Sequence, residues 1–209
     1  MCGIAGWVDW NRDLSLDRPI VARMTERLTA RGPDARGEWA TRHAAFGHRR
    51  LSVIDLSANA AQPMVFERDG RTWVIVYNGE LYNHRELRSE LETRGHRFRS
   101  ASDTEVLLHA YVEWGGSCVD RLDGIFAFAI WDDAVCELFL ARDPLGVKPL
   151  FWARVGDGIL FASEIKALLE HPGVPAEIDA RGVRELERPR PACPSTPAST
   201  PSAATPDQP

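Results

Sequence analysis

The chain has 209 residues and a formal net charge of −5. An acidic balance leaves no basic footprint for nucleic acid, and no apolar run approaches the ~18 residues that a membrane span needs. Hydrophobic residues at 44% and charged residues at 26% suit a packed soluble domain, and at ~150 residues per domain the length allows one domain with chain to spare.

The start, Met1-Cys2-Gly3-Ile4-Ala5-Gly6-Trp7, has neither the positive opening nor the long apolar stretch of a signal peptide. Residues 3–8 read as a buried strand that begins almost at the terminus. Asp17 and Pro19 open a helix with Ile20, Met24 and Leu28 four apart. Arg31-Gly32-Pro33-Asp34 is a turn. Residues 38–55 give two short strands with a break near Gly47. Residues 71–77 are a Val/Ile/Trp strand halted by Asn78-Gly79, the dipeptide of a tight hairpin turn.

Helix follows. Asn83 and Glu86 have capping-box spacing ahead of Leu87 and Leu91. Asp103 stands as N-cap of a second helix, which carries Val106, Leu107, Ala110, Tyr111 and Trp114 on one side and ends at Gly115. Residues 125–131 and 136–141 form a hairpin around Asp132-Asp133-Ala134, and Phe126, Phe128 and Ile130 alternate as a core face does. Short strands over 150–153 and 159–162 precede a helix over 164–169. Strands, then helices, then strands predict an α+β domain with antiparallel sheets. The four cysteines lack CxxC spacing, and Cys118 and Cys136 read as small buried hydrophobes. The six histidines form no HxxxH pair, so no metal is expected. The setting expected is reduced and cytoplasmic, without a membrane or nucleic-acid partner.

Cys2 is the candidate nucleophile. Removal of Met1 would place a thiol and a free α-amine on one residue, with ordinary pKa values of ~8.5 and ~7.7–8.0. The amine is then a base within reach of the thiol, directly or through a water, and the thiolate can attack a carbonyl carbon. The bland alternative is a small residue after the start codon.

Other motifs follow in order: Arg31-Gly32-Pro33-Asp34, Arg50-Leu51-Ser52-Val53-Ile54-Asp55, Gln62-Pro63-Met64, Tyr77-Asn78-Gly79-Glu80-Leu81-Tyr82-Asn83 and Ser102-Asp103-Thr104-Glu105. Asp123-Gly124-Ile125-Phe126-Ala127-Phe128-Ala129, Arg142-Asp143-Pro144-Leu145-Gly146 and Ala162-Ser163-Glu164-Ile165-Lys166 complete the set. Together they resemble the class II glutamine amidotransferase domain of glutamine-hydrolysing asparagine synthetases, over roughly residues 2–186. Amidotransferases acting on hexose phosphates and phosphoribosyl pyrophosphate share the Cys-Gly start. The Thr-Arg-Trp-Ala-Thr-His-Gly run usual in the hexose-phosphate enzymes is replaced here by Gly47-His48-Arg49-Arg50-Leu51-Ser52, which favours the asparagine synthetase type.

The resemblance implies an N-terminal-nucleophile hydrolase fold, a four-layer αββα sandwich with two antiparallel sheets. It implies that Cys2 attacks the side-chain amide of L-glutamine, ammonia leaves, and water hydrolyses the thioester to glutamate. Asn78 and Gly79 match the oxyanion hole. Arg50 matches the residue that binds the substrate α-carboxylate, and Asp103 the one that pairs with its α-ammonium. Glu80 matches a residue at the amino end, and Val53 and Ile54 contribute backbone groups. Arg49 beside Arg50 reads as a surface residue. No cofactor is expected, because ATP and Mg would belong to a synthetase domain whose Ser-Gly-Gly-x-Asp-Ser loop does not occur here.

The last aromatic residue is Phe161, and seven of the 14 prolines fall between Pro189 and Pro209. Residues 187–209 therefore read as a disordered Pro/Ser/Ala-rich tail. The expectation is a truncated or frame-shifted product of a longer synthetase gene, favoured over a free-standing glutaminase domain, with a synthetase domain or chain in trans as the possible partner. An inactive remnant or a glutamine-binding module is the alternative.

Overall fold

The computed structural model describes residues 1–51 and 57–177. Val53, Ile54 and the tail expected over 187–209 lie outside the described residues. In chain order the elements are β1 (Gly3–Asp9), α1 (Arg18–Glu26), β2 (Ala35–Ala40), β3 (Ala44–Arg50), β4 (Met64–Arg68) and β5 (Arg71–Leu81). Then come α2 (His84–Thr93), α3 (Asp103–Trp114), β6 (Gly124–Asp132), β7 (Glu137–Arg142), β8 (Phe151–Val155), β9 (Gly158–Ala162) and α4 (Ile165–Leu168).

The strands form two sheets, one in the order β2-β3-β1-β9-β8 and the other β4-β5-β6-β7. All pairings are antiparallel. β1 is buried at every position. It lies between β3 and β9, and both its faces are covered. On one side Ala5 and Trp7 pack with Met24, Leu28 and Leu168 from α1 and its flank and from α4. On the other, Ile4 and Val8 meet Val74, Val76, Ala127, Ala129 and Trp131 of the second sheet. β6 shows the same doubling: Phe126, Phe128 and Ile130 pack under α2 and α3, while its alternate residues face the first sheet. A strand covered on both faces reads as a continuous apolar run. The layers are thus helix, sheet, sheet, helix, as the resemblance implied.

Several elements differ from the sequence reading. Gly47 does not break a strand; it sits inside β3, and the break falls at residues 41–43. Glycine is required there because a Cβ would run into Thr25 of α1. Asn78-Gly79 makes no turn either. β5 continues to Leu81 because β6 offers a partner along the whole length, from Trp73↔Asp132 to Leu81↔Gly124. A long ladder overrides local turn preference. β4, read only as a motif before, pairs with β5 from Met64↔Ile75 to Arg68↔Arg71. Asn83 precedes α2, but its side chain makes no cap; it bonds Arg121 O (2.8 Å) and Asp123 N (3.1 Å) instead. Cys118 is buried, whereas Cys136 is half-buried in the β6–β7 turn at φ 53°.

Candidate active site

The ends of β1, β3 and β5 and the start of α3 enclose one cleft of about 180 Å³. Six of the eight residues expected in the site line it: Cys2, Arg50, Asn78, Gly79, Glu80 and Asp103. They span a hundred positions of sequence and come from both sheets and a helix. The other two, Val53 and Ile54, are outside the described residues.

Cys2 is half-buried at the mouth of β1. Leu51 N donates to its Sγ (3.4 Å), and the Sγ lies 3.6 Å from Leu51 O. Its own carbonyl accepts from Arg31 Nε (2.9 Å). The Arg31 guanidinium is nearly buried and pairs with Glu164 (3.2 Å), which also meets Lys166 (2.6 Å). The Arg-Gly-Pro-Asp segment, read as a turn, therefore also pins the backbone of Cys2.

Asn78 lies on the face of β5 that carries Val74 and Val76 into the space between the sheets. It is 1% exposed. Its Nδ2 has no hydrogen-bond partner among the described residues. Burying an amide donor without an acceptor costs ~1–3 kcal/mol, and such groups are rare in folded proteins. Gly79 follows on the strand, where a Cβ would strike the Tyr77 ring and Ile125 O.

Asp103 is not the helix cap. Ser102 is, accepting from Glu105 N, and Asp103 is the first residue of α3. Ser102-Asp103-Thr104-Glu105 has the Ser-x-x-Glu spacing of a capping box, a signal that identifies the cap correctly. The buried Asp103 Oδ2 accepts from Tyr77 O–H (2.8 Å) and Leu81 N (3.1 Å). Burial raises its pKa, against the lowering effect of those two bonds. Burial and the neighbouring Asp103 hold the Tyr77 phenol well above its ordinary pKa, so it stays a donor. No arginine or lysine pairs with Asp103 among the described residues.

Arg50 is half-buried in the cleft and donates from Nη1 to Ser57 O (3.1 Å). Arg49, read as a surface residue, is the more buried of the two; it pairs with Glu26 (2.5 Å) and Thr29 (2.5 Å) behind the sheet. Strand alternation sends the two arginines to opposite faces. Glu80 is exposed at the rim.

Sequence reasoning missed the residues that hold these groups. Gln62 accepts from Tyr77 N (2.7 Å) and donates to Thr104 Oγ1 (3.2 Å), stitching β5 to α3 beneath the cleft. His48 Nε2 lies 3.3 Å from Tyr77 O. Burial lowers its pKa to about 4, so it is neutral near pH 7 and donates to that carbonyl. Lys148 also lines the cleft. Gln62, Tyr77 and Lys148 stand in or beside motifs, but no spacing rule connects them to the site.

A family profile described as the glutamine amidotransferase domain matches residues 1–200. The chain belongs to this glutamine amidotransferase family. It is 52% identical over 186 residues to asparagine synthetase [glutamine-hydrolyzing] 3 of Bacillus subtilis, covering 89% of this chain and 30% of that protein. It is 40% identical over 171 residues to asparagine synthetase [glutamine-hydrolyzing] 1 of the same organism, covering 81% and 27%. Among solved structures it is similar to the glutamine phosphoribosylpyrophosphate amidotransferase of B. subtilis, with a TM-score of 0.69 and 25% identity over 80% of this chain and 43% of that one. The fold is that of the N-terminal-nucleophile amidotransferases, and the chain is a glutamine amidotransferase domain homologous to those of glutamine-hydrolysing asparagine synthetases. It spans about 30% of the length of the first of those relatives. No helix among the described residues is long and apolar enough to cross a membrane.

Proposed function

We propose that this amidotransferase domain hydrolyses L-glutamine to glutamate and ammonia through a thioester on Cys2, as the ammonia-releasing half of asparagine synthesis. The observation that carries the reading is the orphan Asn78 Nδ2, a buried donor in the same cleft as the Cys2 thiol. A donor left unsatisfied in the resting site is satisfied when charge develops on a substrate oxygen.

The steps follow from the residues. With Met1 removed, the α-amine of Cys2 takes the thiol proton and the sulfur attacks the γ-carbonyl carbon. The carbonyl electrons move to oxygen, which accepts from Asn78 Nδ2 and the Gly79 N–H. The proton passes to the amide nitrogen, the C–N bond breaks and ammonia leaves. Water then adds to the thioester, the C–S bond breaks, and the thiol re-forms. The Arg50 fork suits the substrate α-carboxylate. Asp103, buried and without an arginine or lysine partner among the described residues, suits the α-ammonium. In this reading Glu80 serves the substrate's amino end, and Val53 and Ile54 would contribute backbone groups. The ammonia acceptor would be an activated aspartate on a synthetase region present in the relatives' remaining length.

Glutamate release by the purified chain tests the reading, with Cys2→Ala as control. The second reading is glutamine binding without turnover, because a retained Met1 would block the amine. Intact mass separates the two.

A further inference from the structure

Glu105 has no part in the chemistry above, yet it is a buried carboxylate two residues beyond Asp103. Its Oε1 accepts from Arg99 N (2.8 Å). Its Oε2 accepts from Ser100 N (2.7 Å) and from Ser100 Oγ (2.7 Å). Since the Ser100 hydroxyl gives its proton to Glu105, it accepts from the Ser102 hydroxyl, 2.9 Å away, and from Ser102 N (3.2 Å). Ser102 Oγ accepts from Glu105 N (3.3 Å), which closes a ring.

In an ordinary capping box the glutamate returns to the N–H of the cap residue itself. Here it reaches past Ser102 and holds the two residues at 99 and 100. The ring therefore fastens the segment entering α3, not only the helix end. Two further bonds secure that segment from outside: Arg88 Nη1 to Ser100 O (2.8 Å) and Asn59 Nδ2 to Arg99 O (3.2 Å). Ser102 of the ring and Asp103 and Thr104, the first two residues of α3, all line the cleft. His109 Nε2 is 4.0 Å from Glu105 Oε1, but burial lowers the His109 pKa to about 4, so near pH 7 it brings no positive charge. The ring rests on hydrogen bonds to a carboxylate, which are stronger than neutral ones.

We propose that Glu105 is a positioning residue that sets Asp103 for the substrate α-ammonium, and thereby sets the preference for an amino-bearing amide over one without the amine. The proposal rests on the reading of Asp103 given above. Its probe pair is glutamine and glutaramate, which keeps the amide and carboxylate and lacks the ammonium.

The experiment is calorimetric binding of both compounds to the full chain in a Cys2→Ala background, which removes turnover. Glu105→Gln keeps the shape, loses the charge and turns one of the two acceptor oxygens into a donor. It weakens glutamine binding about tenfold and leaves glutaramate binding within about threefold. Ser100→Ala, a milder cut in the same ring, moves the ratio the same way and stands in if Glu105→Gln fails to fold. Asp103→Asn lowers the glutamine preference further than either. Equal loss of both ligands in Glu105→Gln, or an unchanged ratio there while Asp103→Asn shifts it, overturns the proposal alone. An unchanged ratio in Asp103→Asn, or no glutamine binding by the parent, overturns the site reading and the proposal with it.

Discussion

The first-sheet wall of the cleft and the second-sheet wall hold their chemistry by different means. On the first sheet, Cys2 is half-buried, its sulfur meets the Leu51 backbone at 3.4–3.6 Å, and its carbonyl is tied by Arg31. On the second, Asn78 and Asp103 are almost wholly buried, and Tyr77, Gln62 and Thr104 interlock beneath them. Sulfur contacts are weak, whereas satisfied buried polar networks rigidify their surroundings. In the proposed reading, the wall that binds and polarises substrate is held by hydrogen bonds already present, whereas the nucleophile's wall gains its base only when Met1 is removed.

Breaking the rigid wall at its orphan donor has the largest expected effect. Asn78→Ala lowers kcat by ~10²–10³, or ~2.7–4 kcal/mol of barrier, with KM for glutamine little changed. Steady-state glutamate release at several glutamine concentrations measures the split. A kcat loss under tenfold would place the oxyanion elsewhere.

Tyr77→Phe removes one donor to Asp103 and keeps the ring. KM for glutamine rises about tenfold while kcat holds within about threefold, because the bond acts on binding of the amino end. A kcat loss with unchanged KM would move Tyr77 to the reacting carbonyl.

The two walls also meet at His48, on β3, beneath Tyr77 of β5. Its pKa is about 4 folded against an ordinary ~6.5 unfolded. The unfolded chain binds the extra proton between those values, so stability is complete above pH ~6.5 and falls as pH drops towards 4, by up to about 3 kcal/mol from this group. Denaturant midpoints across that window measure the slope, and His48→Gln flattens it. A slope unchanged in His48→Gln would assign the acid sensitivity to other groups such as His109, whose pKa is also about 4.

The smallest effect is expected at Glu80. It is exposed at the rim, and Glu80→Gln raises KM by no more than about threefold, as a solvent-screened charge should.

Much of this architecture was legible in the sequence, for physical reasons. Residues 3–8 and 125–131 are apolar on both faces because each strand is covered on both faces. The tight turn expected at Asn78-Gly79 was misleading because its preference is local, while the ladder to β6 is not. Gly47 was misread as a break because its smallness serves a crossing helix that sequence does not display. The cap of α3 was assigned to Asp103 although Ser102 and Glu105 carry the spacing. Arg49 and Arg50 are neighbours of one type, and only the direction of the strand's faces tells the arginine paired with Glu26 from the cleft residue. Six of the eight residues that the motif resemblance names line one cleft. The second row, Gln62, His48 and the Glu105 ring, was invisible because those contacts are long-range or bypass the standard box.

The central claim is that the Cys2 thiol, once it bears the chain's α-amine, cleaves the amide of glutamine in this cleft. The direct measurement is glutamate release from glutamine by the purified chain, paired with intact mass of the same sample. The account predicts a mass lacking Met1, steady glutamate release, and none from Cys2→Ala. Glutamate release that persists in Cys2→Ala, or its absence from a chain shown to lack Met1, would contradict it.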